Sequence, residues 1–328
     1  MTRSARWSPR PSTSVISSWC RRVPKVVAAL DCGSNSTRLL VMDGEGVALA
    51  RHNEITRLSA GVDERGSLRA DAMERTFSVL RRYRQRMSEL GVTAGLLVAT
   101  SAVRDAANGE DFLRGARAIV EVPCEILSGA DEARYSYRGA TSELDGVDDA
   151  LVVDIGGGST ELAVVVDAQL RSFSMQLGCV RVAERELGFG VVTEERASAT
   201  TAMIEHELRR AFEAEPALEK VVGHASLIGL AGTVATLVAL ERGLVDYERA
   251  AVHHQRVSRE VVEHWRAILA SETPAQRLAH AGMTAGREDV LVAGLYVLAA
   301  VMDRFGVDEL LSSESDILDG ITASLLEV

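Results

Sequence analysis

Two stretches of this sequence share one acidic, glycine- and hydroxyl-bearing pattern: DCGSNST at 31–37 and DIGGGST at 154–160. Each follows an apolar run, VVAAL at 26–30 and LVV at 151–153, so each reads as a buried strand ending in a polar turn. An Asp in such a turn can hold a metal ion, and Gly and Ser leave backbone N–H groups free to face phosphate oxygens. One such turn alone is equally compatible with an ordinary hairpin. Two of them facing one another would frame a cleft suited to phosphoryl transfer, where positioning and charge neutralisation supply most of the catalysis.

The two turns belong to a longer repeat. LVVDIGGGSTELAVV (151–165) aligns without a gap on AALDCGSNSTRLLVM (28–42), placing Asp154 on Asp31, Gly156 on Gly33, Ser159 on Ser36, Thr160 on Thr37 and Leu162 on Leu39, 123 residues apart. A third anion-loop candidate lies in SLIGLAGTVATLVAL (226–240), where an apolar strand meets Gly229, Gly232 and Thr233 before a helical stretch. A Gly/Ala-rich turn between strand and helix is more often explained by tight packing.

Around these turns, GVALARHNEITRLS (46–59) reads as strand, turn and strand. Met73, Phe77, Leu80, Tyr83 and Met87 mark an amphipathic helix over 71–90 with Gly91 as its C-cap. A buried strand in GLLVATSAVRD, a helix at 109–119, a short strand CEIL (124–127), the loop SGADE and a helix from about Glu132 to Ala140 follow. The second half closes with a buried helix over 288–306, a strand DELLSS and a helix in SDILDGITASLLE.

At 328 residues the chain has room for one large or two medium domains. Its two lysines, Lys25 and Lys220, stand against 34 arginines, so any bound anion must be gripped largely by arginine and backbone N–H groups. Residues 1–25 hold six basic groups and no acid, which leaves 30 basic against 47 acidic residues, a formal charge of −17, in the remainder. Such a body repels nucleic acid. No apolar run is long enough to span a membrane, and the four scattered cysteines suit reduced thiols in the cytoplasm. The basic, Ser/Pro-rich segment 1–24 lacks a signal peptide's apolar region and reads as a disordered tail, or as the product of a start codon placed too early. RRYRQR (81–86) reads as a solvated helix face, and the adjacent His253 and His254 as surface residues pointing different ways. There is no P-loop, HExxH, GxSxG or zinc-like Cys/His spacing.

DCGSNSTRLL, ITRL (55–58), ATSAVRDA (99–106), SGADEAR (128–134), DIGGGSTEL (154–162), GLAGTVATL (229–237) and GREDVLVAG (286–294) resemble, in order, the motifs of the Ppx/GppA exopolyphosphatase and guanosine pentaphosphate phosphohydrolase family. That resemblance implies an α/β fold of the duplicated actin-like (ribonuclease H-like) ATPase type, with two domains, 25–145 and 146–328, flanking a cleft. The closing helix is expected to return to the first domain. It also implies Mg²⁺-dependent hydrolysis of a terminal phosphoanhydride, with Glu132 as general base and Asp154 and Glu161 as further catalytic carboxylates. Asp31, Asp154 and Glu161 are the implied metal set. Ser34, Asn35, Ser36, Arg38, Arg104, Gly156, Gly157, Gly158, Ser159, Gly232 and Thr233 are the phosphate-binding candidates, with Arg57 a lesser one. Arg38 stands where the second repeat has Glu161, and the alternatives for Arg38 and Arg104 are a surface position and a pair with Asp105.

The favoured substrate is inorganic polyphosphate, with pppGpp as the nearest alternative and a homodimer among the assemblies this reading allows. An ATP-dependent kinase of the same superfamily and a non-catalytic polyphosphate or alarmone sensor are the other readings. Longer family members carry a further helical region with an HD-type metal motif; no His-Asp dipeptide occurs here, so short chains are the expected substrates. Cys32 replaces a β-branched residue and is expected to face the core.

Overall fold

The computed structural model describes residues 25–144 and 149–327. The expected tail and the boundary at 145/146 lie outside the described residues. Both Asp-bearing repeats form antiparallel hairpins, β1 (Val27–Cys32) with β2 (Ser36–Met42), and β6 (Ala150–Ile155) with β7 (Thr160–Val166). They are built alike. Asp31 pairs in register with Arg38 and Asp154 with Glu161, and the Gly33 and Gly156 amides each donate to the carbonyl of the serine three residues on, at 3.0 Å in both turns.

The first sheet adds β3 (Ala48–Ile55), β4 (Ala94–Ala99) and β5 (Cys124–Ile126) in the order β3-β2-β1-β4-β5, with β4 and β5 parallel to β1. The second contains β8 (Gln169–Met175), β9 (Ser226–Leu230), β10 (Arg256–Ser258) and β11 (Glu309–Ser312) in the order β10-β11-β9-β6-β7-β8. Apart from the added edge strand β10, one order repeats the other, and the molecule is a duplicated α/β fold of the actin-like type. The central strands β1 and β6 are buried at every position, as apolar runs covered on both faces require.

Helices Ala70–Glu89 and Gly109–Val120 cover one face of the first sheet, while Glu194–Ala214, Arg259–Ala270 and Leu291–Phe305 contribute to the large core of the second. The opposite faces are covered by exchange. Ala133 and Ala140 of helix Gly129–Thr141 pack on Ala150, Val152, Ala163 and Ile228 of the second sheet. Ile317, Leu318 and Ile321 of the closing helix Ile317–Glu327 pack on Ala29, Leu40 and Val98 of the first. These two helices cross closely, because Gly139 lies against the Asp316 carbonyl and Gly320 against that of Tyr135.

Several local expectations need correction. Segment 46–59 contains one strand, not two: Arg51, His52 and Asn53 are polar because β3 is a sheet edge, which tolerates exposed side chains, not because they turn. The helix bearing Glu132 begins at Gly129, where Ser128 caps it by accepting the Asp131 amide at 3.1 Å, so SGADE is mostly first turn rather than loop. The buried helix begins at Leu291, three residues later than 288. His253 and His254 do not diverge; the left-handed φ of 56° at His254 brings their rings into a stack 3.7 Å apart. Cys32 is fully buried, and Arg81 and Arg86 form exposed ion pairs along their helix while Arg82 and Arg84 pair with Glu54 and Glu121 beyond it.

Candidate active site

The cleft between the sheets has a volume of about 630 Å³, and both hairpin turns line it. They touch each other. A Cβ on Gly157 would fall 2.8 Å from the Ser34 Cβ, and one on Gly158 would fall 2.6 Å from the hydroxyls of both Ser34 and Ser101. The GGG run is therefore a packing requirement as well as a source of accessible N–H groups. Asp31, Ser34, Asn35, Ser36, Arg38, Glu132, Asp154, Gly156, Gly157, Gly158, Ser159 and Gly232 all line the cleft.

Arg104, Glu161 and Thr233 do not. Thr233 is buried against Gly294 of the Leu291–Phe305 helix. Glu161 is buried beside Asp154 and accepts from the Ser174 hydroxyl at 2.7 Å. Arg104 turns towards the general-base candidate, donating to Glu132 Oε2 at 3.1 Å and to the Leu127 carbonyl at 2.8 Å. Arg57 lies outside the cleft lining and pairs with Asp289 at 2.8 Å.

Four buried carboxylates, three of them lining the cleft and Glu161 behind it, thus act on one another, with Arg38 and Arg104 as the opposing cations. Burial raises Glu132 well above the ordinary carboxylate range, Glu161 raises it further, and Arg104 opposes both. Burial lifts Asp154 to about 6, against the Arg38 charge and the Ser136 hydroxyl, which donates to it at 2.7 Å. Glu161 is pushed up to about 7 by burial and then by Asp154. Asp31 is raised by burial against Arg38, and its Oδ1 is buried with no hydrogen-bond partner. Raised pKa values and an orphaned carboxylate oxygen are the marks of a site whose charge is incomplete without a cation.

Among the described residues no three His, Cys, Asp or Glu side chains form a ready-made metal cage. A hard cation such as Mg²⁺ is commonly held by one or two carboxylates together with water and substrate phosphates, and Asp31 with Asp154 fits that arrangement.

Three arginines not singled out by their motifs matter here. Arg287 lines the cleft beside Gly232, where a Cβ would fall 1.6 Å from its Nη1, and among the described residues it has no acidic partner. Its pKa is lowered by burial. The shortage of lysine was the available signal for such a residue. Arg181, 8% exposed, donates to the Gly158 carbonyl at 2.6 Å and pairs across the lobes with Asp63 and Asp105. Arg277 is buried and donates to the carbonyls of Leu269, Phe189, Glu288 and Gly190, fixing the segment that carries Arg287.

A model of the Ppx/GppA phosphatase family matches residues 41–327. Exopolyphosphatase 2 of Mycobacterium tuberculosis H37Rv is 37% identical over 318 residues, covering 91% of this chain and 98% of that protein. An exopolyphosphatase-like protein of known crystal structure superposes with a TM-score of 0.86 at 32% identity, over 92% of this chain and 99% of the other. The Aquifex aeolicus Ppx/GppA phosphatase, in its type II variant, superposes with a TM-score of 0.71 at 29% identity, over 92% and 99% of the two chains.

Proposed function

The chain belongs to the Ppx/GppA phosphatase family, and from that premise we propose that it is an exopolyphosphatase, releasing orthophosphate from the end of inorganic polyphosphate. The observation that carries this reading is the position of Glu132: a buried carboxylate on the cleft wall, in the same cavity as both Asp-bearing turns. In this reading the turn amides and hydroxyls of Ser34–Ser36 and Gly156–Ser159 hold the terminal phosphoryl group, and Arg287 adds the uncompensated positive charge. Glu132 orients water for in-line attack and takes its proton, while the phosphate chain departs as leaving group. Arg104 positions Glu132, and Glu161 acts through Asp154 and Glu132 by its charge. Asp31 and Asp154 would hold Mg²⁺, which when bound supplies charge neutralisation of the phosphate oxygens.

A cytoplasmic enzyme with lobes 25–145 and 146–328 completes the reading, and a homodimer is one assembly it allows. Among the described residues no helix is long and apolar enough to cross a membrane.

One observation favours pppGpp as a second substrate. The cleft lining includes apolar Ala235, Ala239, Ile317 and Leu318, and also Tyr247, 54% exposed, whose ring is able to stack on a base. Orthophosphate release from a chain-length series of polyphosphate, measured beside pppGpp and ATP, tests both. Turnover of pppGpp faster than of every polyphosphate overturns the first reading; phosphate release from neither overturns both.

A further inference from the structure

Arg38 has both edges of its guanidinium occupied by the protein itself. Its Nε and Nη2 donate to Asp31 Oδ2 at 2.9 and 2.6 Å, and its Nη1 donates to the Asp316 carboxylate. Asp316 lies 278 residues further along the chain, at the start of the closing helix, and lines the same cavity as Arg38. It is held on every side. Its Oδ1 accepts the Leu318 amide at 2.9 Å, its own amide donates to Asp319 Oδ2 at 2.8 Å, and its carbonyl is pressed against Gly139. Asp316 is 8% exposed.

A guanidinium fork accepts a carboxylate and a phosphoryl group in the same geometry, so an anion fixed on one edge competes with the other for it. Arg51, next along the cleft, pairs with Asp319 at 2.5 Å and stands 4.0 Å from Asp316. Arg249 donates to Ser315 at 2.8 Å and lies 3.7 Å from Glu143. Of the four arginines lining the cleft, only Arg287 is without an acidic partner among the described residues.

We propose that Asp316 is a specificity-determining residue: its carboxylate takes the place on Arg38 that a substrate phosphoryl group would occupy, reserving Arg38 for Asp31 and limiting how many phosphates the cleft grips. The inference rests on the phosphoanhydride reading above and deepens it. Beyond the phosphates held by the turns and Arg287, further phosphates meet compensated arginines and gain little. Substrate affinity therefore levels off with chain length instead of rising with it.

The test is calorimetric binding of orthophosphate, pyrophosphate, tripolyphosphate and tetrapolyphosphate, with Mg²⁺, to the full chain carrying Glu132→Gln, alone and combined with Asp316→Asn or Asp316→Ser. Affinity is expected to change less than threefold from tripolyphosphate to tetrapolyphosphate with Asp316 present. Either substitution is expected to tighten tripolyphosphate five- to tenfold while orthophosphate changes less than twofold. Unchanged or weaker tripolyphosphate binding in a folded variant overturns the proposal, as does an increased Mg²⁺ requirement, which would make Asp316 a metal ligand. If neither variant folds, the chain-length series on the Asp316 protein decides, since affinity climbing at each added phosphate overturns it. Binding is read without turnover. Failure to hydrolyse polyphosphate sinks the enzyme reading alone, and hydrolysis with an Asp316-independent affinity sinks this proposal alone.

Discussion

Arg104 and Glu132 face each other across a 3.1 Å hydrogen bond, and the same guanidinium nitrogen is anchored to the Leu127 carbonyl at 2.8 Å. The pairing fixes the carboxylate's direction and opposes the burial and the Glu161 charge that raise its pKa. A general base must be ionised to work, so activity rises with pH through that pKa. Arg104→Met removes the cation that opposes this rise, and the acidic limb of the kcat/KM profile should move to higher pH. Glu132→Gln should lower kcat by about 10²–10⁴-fold, the usual contribution of a positioned base. An acidic limb that stays in place in Arg104→Met would show that Arg104 serves the substrate rather than the base.

The carboxylate cluster sets a second pH dependence, in stability. Asp154 at about 6 and Glu161 at about 7 bind protons more tightly in the folded protein than in the unfolded chain, where carboxylates titrate near ~4. Their favourable contribution is complete below the unfolded value and is lost as pH rises through 6 to 7. A divalent cation binds the ionised form and should restore what is lost. The melting temperature with Mg²⁺, minus that with a chelator, should therefore be larger at pH 8 than at pH 5. An equal difference at both pH values would place Mg²⁺ away from this cluster.

The parts of this site that were legible in the sequence are those a local pattern specifies. Both hairpins were readable because strand, Asp, Gly and Ser-Thr recur in one register, and sterics require Gly157 and Gly158 where the turns touch. The single edge strand at 48–55 was not, because edge exposure permits the polar residues that also mark turns. Pairings between distant residues left no local trace: Arg38 with Asp316 depends on the closing helix crossing back onto the first sheet, and Arg104 with Glu132 on the order of β4 and β5. Arg287 stood in a quoted motif, yet its lack of an acidic partner among the described residues is a property of the folded cleft.

Arg287 is the arginine whose removal should act most directly on substrate affinity. Its guanidinium lies over Gly232 in the cleft, and burial already disfavours its charge. A phosphate anion relieves that cost, which makes the contact a charge-assisted one. Arg287→Gln should raise KM by about 10-fold or more, since hydrogen bonds to charged groups contribute about 1.5–3 kcal/mol. Arg287→Lys should recover only part of this, because an ammonium lacks the planar fork. Steady-state kinetics showing an unchanged KM in Arg287→Gln would exclude a substrate contact.

Arg181 joins the lobes at the Gly156–Ser159 turn itself, through the Gly158 carbonyl, Ser101, Asp63 and Asp105. Arg181 is buried, but Asp63 and Asp105 are partly exposed and Arg185 also pairs with Asp63, so removing the guanidinium should cost less than the about 3–5 kcal/mol of a fully buried pair. Arg181→Gln should still lower the denaturation midpoint, because the Gly158 carbonyl and the Ser101 hydroxyl lose their partner too. Arg181→Lys should do so too, because a single ammonium cannot span these partners. Recovery of wild-type stability by the lysine variant would show that charge alone suffices there.

Gly139 offers a test of how the lobes are coupled. A Cβ at this position would lie 1.8 Å from the Asp316 carbonyl oxygen and 2.7 Å from its carbon, distances that require the two crossing helices to separate. In an unobstructed helix interior, Gly→Ala stabilises by roughly 0.5–1 kcal/mol. Here the sign should reverse: forcing extra volume into a close-packed contact costs about 1–3 kcal/mol, so Gly139→Ala should unfold at lower denaturant. The displaced backbone is that of Asp316, which holds Arg38. The same variant should therefore disturb anion binding in the cleft although residue 139 does not line it. A Gly139→Ala protein as stable as wild type, measured by chemical denaturation, would mean that the helices cross less closely than described.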